Sequence, residues 1–324
     1  MSAPKKPITV GPFPAGMDNR APDYALALPQ GAGHLLRDAL NVNVTQQGGL
    51  KTREGYALAQ AGGDCHSLWA PLTGAYGLYC DAGTVYRVDV SPVGAISARV
   101  AVAPGFGAIT PVRYAQVNEA VYFTDGIRVG SYHPTAGPTP AWDAAAAGMV
   151  GDQALTPMPA GSCIAYHAGR LLVAVGSVLV YSEPFTPHLR DVAAGYEMFP
   201  APITCIAAVE GGVFVMADQT YFAPGGFPAQ GLRAVLAYGA PAQQAGYRQD
   251  GGAHWMSAQG IVSCNAAGEL ANLQEEHLAL DVSGAAATLW RQADGAQSIV
   301  AALSEPGSTA AGVGSFAQAR IVRK

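Results

Sequence analysis

Residues 171–184 read LLVAVGSVLVYSEP: an apolar run, the pair Gly176-Ser177, and a second apolar run. Residues 213–225, VFVMADQTYFAPG, repeat that arrangement around Asp218-Gln219. In each, the leading run (Leu171, Leu172 and Val173; Val213, Phe214 and Val215) is apolar without alternation. A half-exposed strand alternates apolar and polar side chains, so an unbroken run marks a strand covered on both faces. The pulse returns in GLYCDAGTVYRVDV at 77–90, AVYFTDGIRVGSY at 120–132, HWMSAQGIVSCNAAGEL at 254–270 and SIVAALSEPGS at 298–308. The small residue ending each leading run, which we read as the first strand of a unit, falls at Cys80, Thr124, Ala174, Ala217, Ser257 and Ala302, in steps of 40 to 50 residues. That step fits a propeller blade, a twisted sheet of about four strands that hides its faces only against neighbouring blades. The reading is an all-β fold, a β-propeller of six blades, with five or seven also compatible. A pair of β-sandwiches or an open solenoid would use short strands too, but neither produces such a step.

Turn chemistry and composition agree with this. Asn118, Gly169, Gly212 and Gly252 stand before leading runs, where tight hairpins need positive φ. The 40 glycines and 23 prolines are spread without a collagen-like period, which implies frequent turns and no long helices. Half the residues are apolar and only 13% are charged, so little charged surface is available to keep the chain dispersed, and a place inside an assembly is expected. The net charge is −5 with no basic stripe to neutralise a row of phosphates, which disfavours sequence-independent nucleic-acid binding. Lys5, Lys6, Arg320, Arg323 and Lys324 read as solvated tails. No apolar run approaches the ~20 residues of a membrane span, and the opening MSAPKKPITVGPFPAG lacks the apolar stretch of a signal peptide. Cys65, Cys80, Cys163, Cys205 and Cys264 are odd in number and show no metal spacing; they read as small buried hydrophobes in a reducing compartment.

Residues 1–34 are rich in Pro, Gly and Ala and read as an extended N-terminal arm, ahead of a propeller domain over 35–324. Within 38–57, Leu40, Val42 and Val44 alternate with Asn41 and Asn43 before a glycine-bearing turn, the pattern of a β-hairpin. In GVGSFAQARIVRK, residues 312–324, Phe316, Ile321 and Val322 fit a closing strand, expected to pair with that hairpin and remove the free edge of the ring. Residues 138–161 read as an inserted loop with one helical turn at 143–148.

A search for chemistry yields no catalytic, cofactor-binding or metal-ligating residues, and no cofactor is expected. None of the seven histidines has a second histidine three to five residues away, and no nucleophile elbow or phosphate-binding glycine loop occurs. The aspartate box of sialidase propellers is absent. Glu275, Glu276 and His277 form the only acidic and basic cluster beside apolar sequence, but adjacent side chains on one element diverge, so a solvated strand or helix end outweighs a catalytic dyad. Asp81, Asp125 and Asp250 adjoin glycines and read as turn formers, because no stretch alternates acidic oxygens as calcium loops do. Tyr79, Tyr86, Tyr122, Phe123, Tyr181, Phe214, Tyr221, Phe222 and Trp255 read as core.

Two segments carry a resemblance. In 16–56 the features are Gly16, Asn19 and Pro22, then Leu36-Arg37-Asp38-Ala39 leading into Asn41-Val42, then Gly48 or Gly49, Arg53 and Gly55-Tyr56. In the second they are Tyr181-Ser182-Glu183-Pro184, Tyr221-Phe222 and Gly225-Gly226-Phe227-Pro228. This pattern resembles tailed-bacteriophage virion proteins of the propeller-containing tail type, including tail stabilisation or nozzle-like proteins. The resemblance implies a non-enzymatic structural component, present in several copies around the tail axis, contacting other tail proteins, and found in the virion or, during assembly, in the host cytoplasm. The other readings are a receptor- or glycan-binding propeller at a tail tip and, behind it, a glycan hydrolase.

Overall fold

The computed structural model describes residues 11–13, 16–28, 33–37, 42–44, 49–52, 61–92, 95–139, 142, 148–150, 153–277, 282, 284–293, 296–303 and 315–320. Two compact units share the chain: Met1–Leu58 with Gln274–Leu280, and Ala59–Leu273 with Asp281–Lys324.

Among its described residues the larger unit holds seven antiparallel sheets: six follow one another along the chain, and a smaller seventh is formed by Gly148–Val150, Gln153–Pro157 and Leu189–Arg190. The first holds His66–Trp69, Tyr76–Asp81, Thr84–Asp89 and Val100–Pro104; the second holds Arg113–Val117, Ala120–Thr124, Val129–His133 and Gly137–Thr139. Cys163–His167, Arg170–Val175, Val178–Tyr181 and Tyr196–Met198 make the third; Cys205–Val209, Gly212–Met216, Thr220–Pro224 and Arg233–Leu236 make the fourth. The fifth contains Gly246–Tyr247, Ala253–Ser257, Gly260–Cys264 and Leu270–Asn272, and the sixth has three described strands, Ala286–Ala293, Ala296–Leu303 and Ser315–Arg320. First strands stand side by side in space, Cys163–His167 lying between Arg113–Val117 and Cys205–Val209. Residues on or beside the first strand of each of the six wall one central cavity. This radial succession of small sheets is a β-propeller.

The unbroken apolar runs follow from it. In Arg170–Val175, Leu172 and Ala174 pack with Val213, Val215 and Ala223 of the fourth sheet. Leu171 and Val173 of the same strand pack with Ala115, Val117 and Val129 of the second. Gly212–Met216 divides likewise: Val213 and Val215 face the third sheet, and Phe214 and Met216 meet Ala253, Trp255 and Val262 of the fifth. Successive side chains point to opposite faces, so a strand with a sheet on either side must be apolar at every position. In all six sheets the leading run is the second strand, not the first as the sequence suggested. The true first strands escaped notice because they mix core residues with Arg113, Gln116, Tyr166 and His167.

Turns form as the side chains dictate. Ala82 and Gly83, both at positive φ (47° and 79°), close the two-residue loop between Asp81 and Thr84, and a Cβ on Gly83 would strike the Phe106 carbonyl. Asn118, Gly169 and Gly212 also have positive φ; Gly252 does not, and there a Cβ would instead collide with Arg248 and the Cys264 carbonyl. Asp81 accepts the N–H groups of Gly63 and Asp64 and pairs with Arg99, while Asp125 accepts those of Ile127, Arg128 and Gly107. Asp250 accepts the Gly252 N–H.

Three expectations are corrected. Ser315–Arg320 pairs with Ala296–Leu303 as the third strand of the sixth sheet, while the hairpin Val42–Val44 with Leu50–Thr52 forms a sheet of its own, so among the described residues the last strand pairs with the strand before it and not with the hairpin; Ile321 and Val322 lie outside the described residues. The next strand in sequence is the nearest partner available, and Phe316 pairs opposite Ala302 there. The segment 138–161 is not a plain loop: Gly148–Val150 and Gln153–Pro157 form a hairpin whose second strand pairs with Leu189–Arg190. Met158 and Trp142 add to the core between the second and third sheets. Of the helical turn expected at 143–148, residues 143–147 lie outside the described residues and Gly148 is in a strand. Cys80, Cys163, Cys205 and Cys264 are buried as expected; Cys65 is exposed, and all five are free thiols.

In the smaller unit the described part of the arm folds back on its neighbours. Met17 bridges Leu36, Ala27 bridges His34, and the Asp18 carboxylate accepts the N–H groups of Arg20 (3.0 Å) and Ala21 (2.8 Å). Its other oxygen lies 3.1 Å from His277 Nδ1, and the Asn19 N–H donates to the His277 carbonyl.

Candidate functional site

The central cavity of the larger unit encloses about 1120 Å³. Converging first strands create it, since the small sheets of a propeller leave space where their inner edges face each other. The first sheet contributes His66, Ser67 and Trp69, the second Arg113 and Tyr114, and the third Tyr166. From the fifth come Gln244, Tyr247 and His254, and from the sixth Thr288 and Trp290. Gln244 reaches across the ring, its Oε1 accepting the Tyr114 N–H at 2.9 Å. Trp69 stacks on Tyr114 with ring centroids 5.7 Å apart, so the wall beside Arg113 is aromatic.

Charge in this wall is one-sided. No aspartate or glutamate is among the described lining residues, although acidic residues outnumber basic ones in the chain. The Arg113 side chain has no ion pair or hydrogen bond to a described residue, and its Nε is buried without a partner. The residue is half-exposed by surface area because its side chain borders the cavity, yet protein surrounds the guanidinium densely enough that burial lowers its pKa. His254 is buried with neither ring nitrogen hydrogen-bonded to a described group. Burial, reinforced by the charge of Arg248, pulls its pKa down to about 4, so the imidazole is neutral at pH 7. It stands 6.4 Å from Trp290, whose ring also carries the Arg248 guanidinium at 5.4 Å. Gly246 makes this placement possible, because a Cβ there would occupy the imidazole's space. Burial raises the Tyr114 pKa well above its ordinary value, and its hydroxyl has no described partner. A fixed cation, a neutral imidazole and aromatic faces can hold an anion on an apolar body.

A serine and a histidine also meet at the cavity. Ser67 Oγ lies 2.8 Å from His66 Nδ1, accepts the Val112 N–H at 2.8 Å, and belongs to a residue at φ 58°. His66 Nε2 lies 3.0 Å from the Ala108 carbonyl oxygen. These bonds tie an irregular first strand, whose register shifts between His66 and Trp69, to the loop before the second sheet. The exposed Cys65 thiol nearby is pushed up in pKa by burial of its sulfur and by Asp81.

The cluster singled out in the sequence lies elsewhere. Glu275 and Glu276 are exposed in a turn of the smaller unit, and His277 is engaged by Asp18. The residues that the structure brings together come from positions as far apart as His66 and Trp290 and share no motif, so no local signal pointed to them. The aromatic reading holds for six of the nine: Tyr79, Phe123, Tyr181, Phe214, Phe222 and Trp255 are buried, with Phe214 stacked on Phe222 at 4.4 Å, whereas Tyr86, Tyr122 and Tyr221 are half-buried.

No protein-family model and no curated protein matches the chain. Among solved structures it is similar to Hsv2 of Kluyveromyces lactis, at 12% identity over 74% of this chain and 73% of that one, with a TM-score of 0.44. It is similar also to the β-propeller domain of Cps50 (Swd1) from Myceliophteria thermophila, at 12% identity over 66% and 86% of the two chains, TM-score 0.39. A functionally unknown protein from Desulfotomaculum acetoxidans matches at 13% identity over 66% and 70%, TM-score 0.41.

Proposed function

We propose that this chain is a non-enzymatic structural subunit of a larger particle, a six-bladed propeller held in place by protein–protein contacts, and that the particle is a bacteriophage tail. The observation that carries the reading is the distribution of exposed apolar side chains. In an antiparallel meander, loops joining second to third strands share one end of the sheet with the sheet-to-sheet connections, and the remaining loops share the other end. Ile109 (72% exposed) and Ile127 (82%) lie in loops of the first kind, Leu72 (61%) and Phe185 (84%) in loops of the second. Large apolar side chains presented at both ends suit a body stacked between neighbours. The tail setting is supported by the resemblance of residues 16–56 and of 178–228; several copies around the tail axis would follow from it.

The test is immunogold electron microscopy on purified particles from a lysate containing this protein. Gold at the tail is the expected result. Label confined to the free-protein fraction, with unlabelled particles, overturns the reading. One feature favours a second reading, a receptor- or glycan-binding propeller: Trp69 and Trp290 both border the central cavity, where a ring could stack.

A further inference from the structure

Arg113 poses a problem that the scaffold role does not solve. A guanidinium keeps its proton under all ordinary conditions, so burial cannot be relieved by neutralisation as it is for the His254 imidazole. Buried charges in proteins are accordingly paired. Four arginines of this chain obey the rule: Arg87 meets Asp89, Arg99 meets Asp81, Arg170 meets Glu183 and Arg248 meets Asp250. Arg113 and Arg190 each have a buried Nε without a described partner, but of the two only Arg113 borders the central cavity, beside Tyr114, Cys163 and Cys205, and no carboxylate is among the described lining residues.

We infer that the central cavity is a binding site for a small amphipathic anion, a carboxylate or sulfonate on an aromatic or aliphatic body, with Arg113 holding the acidic group. The volume of about 1120 Å³ far exceeds an inorganic ion and suits a drug-sized molecule. Trp69, stacked on Tyr114 next to Arg113, and Trp290, beside the neutral His254, offer faces for the apolar body. The guanidinium fork matches two oxygens of the acidic group, and no described lining carboxylate competes for it. The site is independent of the proposed place in a particle.

Titration of the full chain with 1-anilinonaphthalene-8-sulfonate tests this, with the uncharged N-phenyl-1-naphthylamine as its partner probe. Saturable binding of the sulfonate is expected, with energy transfer from tryptophan, since Trp69 and Trp290 border the site. Arg113→Met should weaken the sulfonate by about tenfold or more while leaving the uncharged probe within about twofold. Equal sulfonate affinity in the two proteins overturns the inference, as does sulfonate binding that never saturates. Should Arg113→Met fail to fold, thermal unfolding of the unaltered protein decides: benzoate should raise Tm and benzyl alcohol at equal concentration should not, and equal effects of the two overturn it.

Discussion

His254 shows how burial turns one side chain into a pH-dependent stability term. Its folded pKa is about 4, against an ordinary value of 6.5. Between those two values the unfolded chain takes up a proton that the native state does not, so stability is full above about pH 6.5 and falls as the pH drops towards 4. At pH 4.5 the loss amounts to about 2.5 kcal/mol. Urea unfolding at pH 7.5 and 4.5 should therefore show the unaltered protein losing about 2 kcal/mol more than His254→Leu, which has nothing to protonate. Equal losses in the two proteins would remove His254 as the cause. At the same scale, Asp18 holds the N–H groups of Arg20 and Ala21, and these backbone bonds, the Ala21 bond foremost, keep its carboxyl below the usual carboxylate range. Asp18→Ala should speed tryptic cleavage after Arg20 several-fold. An unchanged cleavage rate would show that the turn stands without it.

At the scale of the element, the strand Arg170–Val175 concentrates the energetics of the fold. Leu172 is 1% exposed and faces the fourth sheet, whereas Val175 at the end of the strand is 41% exposed. Leu172→Ala leaves a hole between two sheets and should cost about 2–5 kcal/mol by chemical denaturation. Val175→Ala should stay within about 0.5 kcal/mol. Comparable costs at the two positions would contradict packing on both faces of the strand. The second strands were legible in the sequence because two-sided burial leaves an unbroken apolar run, and their hairpins because Ala82-Gly83 and Ala168-Gly169 encode the turn locally. First strands were not, since one edge borders the cavity and polar side chains such as Arg113 and Gln116 interrupt the run.

For the whole molecule, the first five sheets share their faces in successive pairs, so the stability of each depends on its neighbours. Described hydrogen bonds of the arm run to Leu35, Leu36, Arg37 and His277, inside its own unit. Removing residues 1–34 should accordingly leave a body with a β-type circular dichroism spectrum and one cooperative transition. A truncated chain that melts without cooperativity would show that the arm belongs to the core of the fold.

By itself the sequence determined the all-β class, the recurrence of small sheets every 40 to 50 residues and the tight turns within them. Those properties are written in neighbouring residues, through the two-residue period of a strand and the φ preferences of Gly and Asn. Only the tertiary structure decided that Ser315–Arg320 joins Ala296–Leu303, that 148–157 is a hairpin, and that Arg113, His254 and Trp290 border one cavity. Each sheet supplies a few side chains to that cavity from far-separated places. Their meeting depends on ring closure around an axis, a global property that no local run of residues records.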